Sequence, residues 1–205
     1  MDGATEAPKA TGSTSSPGSP RRAELLERTL EYAARNNLSE LSLRPLAAEI
    51  GSSPRVLIYL FGSKEGLLRE ILAASRERQL TVVRRAMEES AEPAEVLGRL
   101  WAWLREPGNR QIARLFFEIY SRSLGGGEPW AGFAVDSVRD WEPPLRRILR
   151  ASGADAEPAD ADVTLALSVL RGLLLDLLAT GEAERVDLAW RRFVRLSWPS
   201  TPRTC

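Results

Sequence analysis

The sequence predicts an all-α protein, on three observations. Apolar residues recur at helical spacing almost everywhere from Arg21 onward. Glycine, proline and serine breaks separate these segments at lengths suited to helices rather than strands. No alternating β-branched run and no Asn-Gly hairpin signal is present.

Residues 1–20 are rich in Gly, Pro, Ser and Thr and read as a disordered arm without the apolar stretch of a secretory signal. A first helix is expected over about 20–35, with Leu26, Leu30, Ala33 and Ala34 on one face and Asn36-Asn37 ending it in a left-handed cap. Ser42 is placed to cap a short second helix with Pro45 in its first turn, Leu46, Ala47 and Ile50 inward, and Gly51 as its stop. Ser53 caps a third, with Pro54 at the first helical position, Leu57 and Ile58 toward the core and Phe61 closing it. After Gly62, Ser63 caps a long fourth helix, with Glu65 and Glu70 early and Arg76 and Arg78 late, as the helix dipole favours. Further helices are expected near 94–106, 108–124, 129–150 (kinked or split at Pro143-Pro144), 158–180 and 183–197. Residues 21–66 are thus a three-helix head with a helix-turn-helix layout, 67–198 a helical regulatory and dimerisation body, and 199–205 a tail.

Composition narrows the chemistry. The 28 basic and 28 acidic residues balance, so no global field draws the chain to nucleic acid and any such contact needs a local patch. Histidine is absent and the one cysteine is Cys205, which removes the usual general base, the common zinc ligand and any intrachain disulfide. No catalytic residue, metal site or cofactor is expected, and an enzyme would need clustered carboxylates that the sequence does not display. The segment Val163–Ala179 is strongly apolar but is interrupted by Arg171 and Asp176 and is shorter than the ~20 residues of a spanning helix. It reads as a buried helix, which with the cysteine usage fits a cytoplasmic protein with no membrane contact.

The stretch SLRPLAAEIGSSPRVLIYLFGSKEGLL resembles the TetR family of bacterial repressors, and the preceding LLERTLEYAARNN resembles that family's first helix. The resemblance is strong from Arg22 to about Ile71 and in layout only beyond it. It implies a homodimer that binds double-stranded, pseudo-palindromic operator DNA and is released by a small-molecule effector. Ser42 and Arg44 match the start of the family's second helix, where the arginine often touches DNA. Ser53, Pro54, Arg55 and Val56 match the exposed start of its recognition helix, and Lys64 the lysine that meets a phosphate. The chain departs at Ile58 and Leu60, where the family usually carries Tyr and His or Tyr, leaving Tyr59 to take part of their backbone-contacting role. The physical reading agrees. A recognition helix presents its N-terminal end to base edges, arginine suits a guanine edge, and Ser53 with free helix-start N–H groups suits phosphate. Residues 21–80 hold ten basic and eight acidic side chains, so the expectation is that Arg44, Arg55 and Lys64 share one face.

In the body, Trp101, Phe116, Phe117, Tyr120 and Trp141 are the candidates for a pocket that takes an apolar or aromatic effector. Arg171 and Asp176 are expected in structural ion pairing, since a buried charge must be paired. Leu170, Leu174, Leu177, Val186, Trp190 and Phe193 are the candidates for a dimer interface built from the last two helices. The alternative is a helical dimeric small-molecule-binding protein with weak or lost DNA binding, which only Ile58 and Leu60 favour.

Overall fold

The computed structural model describes residues 19–36, 38, 41–151 and 160–198. The expected arm, apart from Ser19 and Pro20, and all but the first few residues beyond Arg195 fall outside or at the edge of that range. Ten helices appear among the described residues: α1 (Pro20–Arg35), α2 (Leu43–Glu49), α3 (Pro54–Phe61), α4 (Lys64–Glu89), α5 (Pro93–Leu104), α6 (Pro107–Leu124), α7 (Phe133–Arg139), α8 (Glu142–Arg150), α9 (Asp160–Thr180) and α10 (Ala183–Ser197). No strand occurs among them.

The breaks in the head follow from local chemistry. Ser53 Oγ accepts from the Val56 N–H at 3.3 Å and Ser63 Oγ from the Gly66 N–H at 2.9 Å, each satisfying a donor that the helix start leaves orphaned. Caps of this kind are worth about 0.5–2 kcal/mol each. Gly51 (φ 68°) and Gly62 (φ 79°) take left-handed backbone that a side chain would resist. Ser42 starts α2 but makes no side-chain cap bond.

Several expectations are corrected. Asn36 ends α1 with extended backbone (φ −122°, ψ 147°), not a left-handed cap, while its side-chain amide donates to the Tyr32 carbonyl at 2.9 Å. The side chain thus does locally what a left-handed turn would have done; Asn37 lies outside the described residues. Ile58 is 40% exposed rather than inward, because α3 buries only the face carrying Leu57 and Phe61. Arg76 and Arg78 stand in the middle of α4, which runs on to Glu89, so they do not serve its dipole. They make tertiary ion pairs instead, Arg76 with Asp140 and Arg78 with Glu27. The expected helix over 129–150 divides between Arg139 and Glu142, upstream of the prolines. Pro143 and Pro144 then sit in the first turn of α8, where a missing N–H costs little.

Two apolar cores form. The first joins Leu25, Leu30 and Ala33 of α1, Leu46 and Ala47 of α2, Leu57 and Phe61 of α3, and Leu67, Leu68, Ile71 and Leu72 of α4 to Ile112, Leu115 and Ile119 of α6. The boundary expected at residue 66 therefore falls inside a continuous helix, whose first half belongs to the head core. The head is also seated on the body through α1 and α6. The second core gathers α5, α8, α9 and α10 around Leu97, Leu100, Ile148, Leu177 and Val186. A leucine or isoleucine buried this completely contributes about 1.5–3 kcal/mol of transfer free energy.

By length and apolarity alone α9 could cross a membrane. At 21 residues it is longer than the apolar segment suggested. It nevertheless sends Val163, Ala166, Leu167, Leu170, Leu174, Leu177 and Leu178 into the second core.

Candidate functional site

The arginines of the head divide into paired and unpaired. Arg21 and Arg28 both pair with Glu24, at 2.8 and 2.7 Å. Arg28 also donates to the Ile50 carbonyl at 3.1 Å and Arg21 to that of Gly51 at 3.3 Å, so α1 grips the C-terminal end of α2 with positive charge, where the dipole favours it. Arg22 pairs with Glu70 at 2.8 Å and lies over the Phe61 ring, 5.0 Å from its centroid. Arg35 pairs with Glu49 and Arg78 with Glu27. Arg44, Arg55 and Lys64 have no acidic partner among the described residues.

The balanced charge of the whole chain thus conceals a local excess on the head. Acids neutralise the cations that hold the three helices together and leave those on α2, α3 and the start of α4 available. Arg44 and Arg55 are exposed, and Lys64 is half-buried at the first position of α4. Ser53 and Pro54 are partly exposed at the start of α3, and Val56, Ile58 and Tyr59 present an exposed face of that helix. Leu60 is half-buried against the head core, so its departure from the family pattern is also a packing choice.

In the body, a cavity of about 290 Å³ lies between α4, α6, α7 and α9. Phe116, Phe117 and Trp141 are in its wall. Tyr120 is not in its wall but touches the cluster, its ring tilted on that of Phe116 at 5.7 Å. Trp101 is displaced from the expectation. It is buried in the second core, stacked on Trp190, and its Nε1 donates to Asp187 at 2.9 Å. Its polar tip finds its partner in a carboxylate of α10 rather than in a ligand.

The cavity also contains what the sequence reading placed elsewhere. Arg171 and Asp176 have separate partners. Asp176 is bound by Arg185 at 2.6 Å, which holds its carboxyl below the usual carboxylate range. Arg171 faces the cavity, donates to the Ser137 carbonyl at 2.8 Å, and lies over Phe116 and Tyr120 at 5.3 and 5.4 Å. A lone arginine in an apolar helix was the available sign, but helical spacing could not say which neighbour it meets. Arg69 and Arg76 reach the same cavity from α4, Asp136 and Asp140 from the α7 side.

The six residues expected at a dimer interface are mostly core. Leu170, Leu174, Leu177, Val186 and Trp190 are buried within the protomer, and Phe193 is half-buried against Trp190 and Trp198. The outer face of the same helices carries other residues. On α9, Leu165, Ser168, Gly172, Leu175 and Ala179 recur at spacings of three and four and are all exposed; on α10, Leu188 and Leu196 are exposed.

A three-helix unit with a glycine turn, a third helix capped by Ser53 and cations on its second and third helices that have no acidic partner among the described residues has the layout of a helix-turn-helix DNA-binding domain. Residues 25–71, the head and the start of α4, match the family of bacterial regulatory proteins of the tetR type. No curated protein matches the chain. The fold is similar to the crystal structure of a candidate transcriptional regulator from Pseudomonas aeruginosa PAO1, with a TM-score of 0.58 and 21% identity over 86% of this chain and 90% of that one. At that identity the likeness concerns architecture, including the helical body that lies beyond the family match.

Proposed function

We propose that the chain is a cytoplasmic, homodimeric, ligand-responsive repressor that binds a pseudo-palindromic operator and leaves it when a small molecule fills the body cavity. The observation that carries this reading is the course of α4. The helix begins with Lys64 beside the recognition helix and lines the cavity further along with Leu72, Ser75, Arg76 and Gln79. One hydrogen-bonded rod therefore touches both places, and a tilt at one end displaces the other. Arg44 and Lys64 act as phosphate anchors, Ser53 and Pro54 set the helix start against the backbone, Arg55 reaches a base edge, and Tyr59 adds a backbone contact.

Two such heads must lie about one DNA turn apart, roughly 34–36 Å, to read two half-sites. The exposed stripe of α9, with Leu188 and Leu196 of α10, supports a seam in which two helices from each subunit meet. A ligand releases the DNA only if it binds the incompetent arrangement more tightly, and linkage then requires operator to weaken ligand binding by the same factor.

The test is selection of bound fragments from the source genome, followed by gel shift over a range of salt. Salt-dependent, sequence-selective binding to an inverted repeat is expected. Absence of any specific fragment would favour the alternative, a helical ligand-binding dimer without DNA function.

A further inference from the structure

Arg171 is a cation that forms no ion pair among the described residues. It sits half-buried on the apolar helix α9 and faces the cavity. Its guanidinium donates to the Ser137 carbonyl at 2.8 Å and to the Ser137 hydroxyl at 3.4 Å, and lies over the faces of Phe116 and Tyr120. Among the described residues no carboxylate is in ion-pair contact with it, and of the two acids in the cavity wall Asp140 is taken by Arg76. Burial draws its pKa below the ordinary value, partly offset by Tyr120, but an arginine stays charged at physiological pH. A buried charge without a counter-charge is costly unless something completes it.

The rest of the wall says what that something is. Beside Arg171 stand Phe116, Phe117, Trp141, Leu170 and Leu174, an apolar and aromatic surface. Three arginines, Arg69, Arg76 and Arg171, face two acids, Asp136 and Asp140, an excess of one positive charge. Arg69 lies exposed, with the Pro129 carbonyl and the Trp130 ring at 4.6 Å as its contacts, so solvent serves its charge, whereas Arg171 is withdrawn from solvent on α9. At about 290 Å³ the space lies at the lower end for small-molecule sites.

We propose that the cavity binds a small amphipathic monocarboxylate, its carboxylate paired with Arg171 and its apolar part packed against Phe116, Phe117 and Trp141. This rests on the reading of the cavity as the effector site and gives that effector a charge. A planar guanidinium matches a carboxylate with two parallel hydrogen bonds, whereas a neutral apolar occupant leaves Arg171 uncompensated and further desolvated.

The test is calorimetric titration of the full chain, without DNA, using 4-phenylbutanoate, 4-phenylbutanol and 4-phenylbutylamine. The acid is expected to bind at least about tenfold more tightly than the alcohol, and the amine most weakly. The advantage of the acid should persist at about 0.5 M salt, since a half-buried pair is screened less than a surface one. Arg171→Gln, which keeps a donor for the Ser137 carbonyl, should remove that advantage and leave the alcohol unchanged. Equal binding of acid and alcohol to the wild type, no saturable binding of the acid, or a preference that survives in Arg171→Gln overturns the proposal. Should that variant fail to fold, the comparison of the three compounds on the wild type decides alone. Because DNA is absent, a negative result removes the carboxylate and leaves the DNA-binding reading to the gel shift.

Discussion

The indole of Trp101 lies stacked on that of Trp190, with ring centroids 5.3 Å apart and planes inclined by 17°. The pair ties α5 to α10, and both helices share Asp187, which accepts from Trp101 Nε1 at 2.9 Å and from Arg105 at 2.7 Å. A tryptophan held on its face and at its polar tip is a structural residue. It therefore separates the stability of the body from ligand recognition in a way that mutation can read.

Trp190→Ala should destabilise the protein by about 3–5 kcal/mol, the usual cost of removing a large aromatic from a core. Trp101→Phe should cost less, about 0.5–1.5 kcal/mol from the hydrogen bond, plus the smaller ring surface. Urea unfolding measures both. Binding of a cavity ligand to folded Trp101→Phe should match wild type, and a large loss there would return Trp101 to the site.

Arg55→Ala should lower affinity for the operator by about 1–3 kcal/mol and relax specificity at one base position. Lys64→Ala should weaken all sequences alike and reduce the salt slope by about one unit. The readout is a titration series at several salt concentrations. Wild-type behaviour from both variants would mean that the unpaired cations do not meet DNA.

Dimerisation should depend on the outer face of α9 and α10 and not on their buried leucines. Leu175→Glu combined with Leu188→Glu should give a folded monomer by sedimentation velocity, with a far-ultraviolet spectrum like wild type. Leu174→Glu places an unpaired carboxylate in the core and should unfold the body instead. A double variant that remains dimeric would move the seam elsewhere.

Gly66 marks the joint between recognition helix and α4. A Cβ there would stand 2.1 Å from the Phe61 carbonyl oxygen, a backbone atom that cannot move aside alone. Gly66→Ala should therefore shift the junction, costing about 1–3 kcal/mol in stability and weakening specific DNA binding. Gly98, inside α5, has open space where its Cβ would go. Gly98→Ala should stabilise by about 0.5–1 kcal/mol and leave DNA binding unchanged. Thermal unfolding and gel shift on the two variants together distinguish a strained joint from a general glycine effect.

The sequence by itself determined the helices and the head. Caps at Ser53 and Ser63, the left-handed turns at Gly51 and Gly62, and proline at helix starts act over a few residues, so reading along the chain was enough to place them. Arg44, Arg55 and Lys64 were legible for the same reason, being set by their positions within those short elements. That these three head cations have no acidic partner among the described residues was decided by tertiary structure, because pairs such as Arg22 with Glu70 and Arg78 with Glu27 join residues far apart in the chain. The sides of α9 were likewise undecided by sequence. A helix apolar nearly all round has no strong direction of its own, so Leu174 and Leu175 read alike until α5, α8 and α10 cover one and leave the other exposed. Trp101 and Trp141 differ in the same way, one closed against Trp190 and the other opened to a cavity by the packing of α4, α6 and α9. Arg171 acquired its meaning only there, since whether a charge in an apolar helix meets an acid, a carbonyl or an empty space depends on what packs across from it.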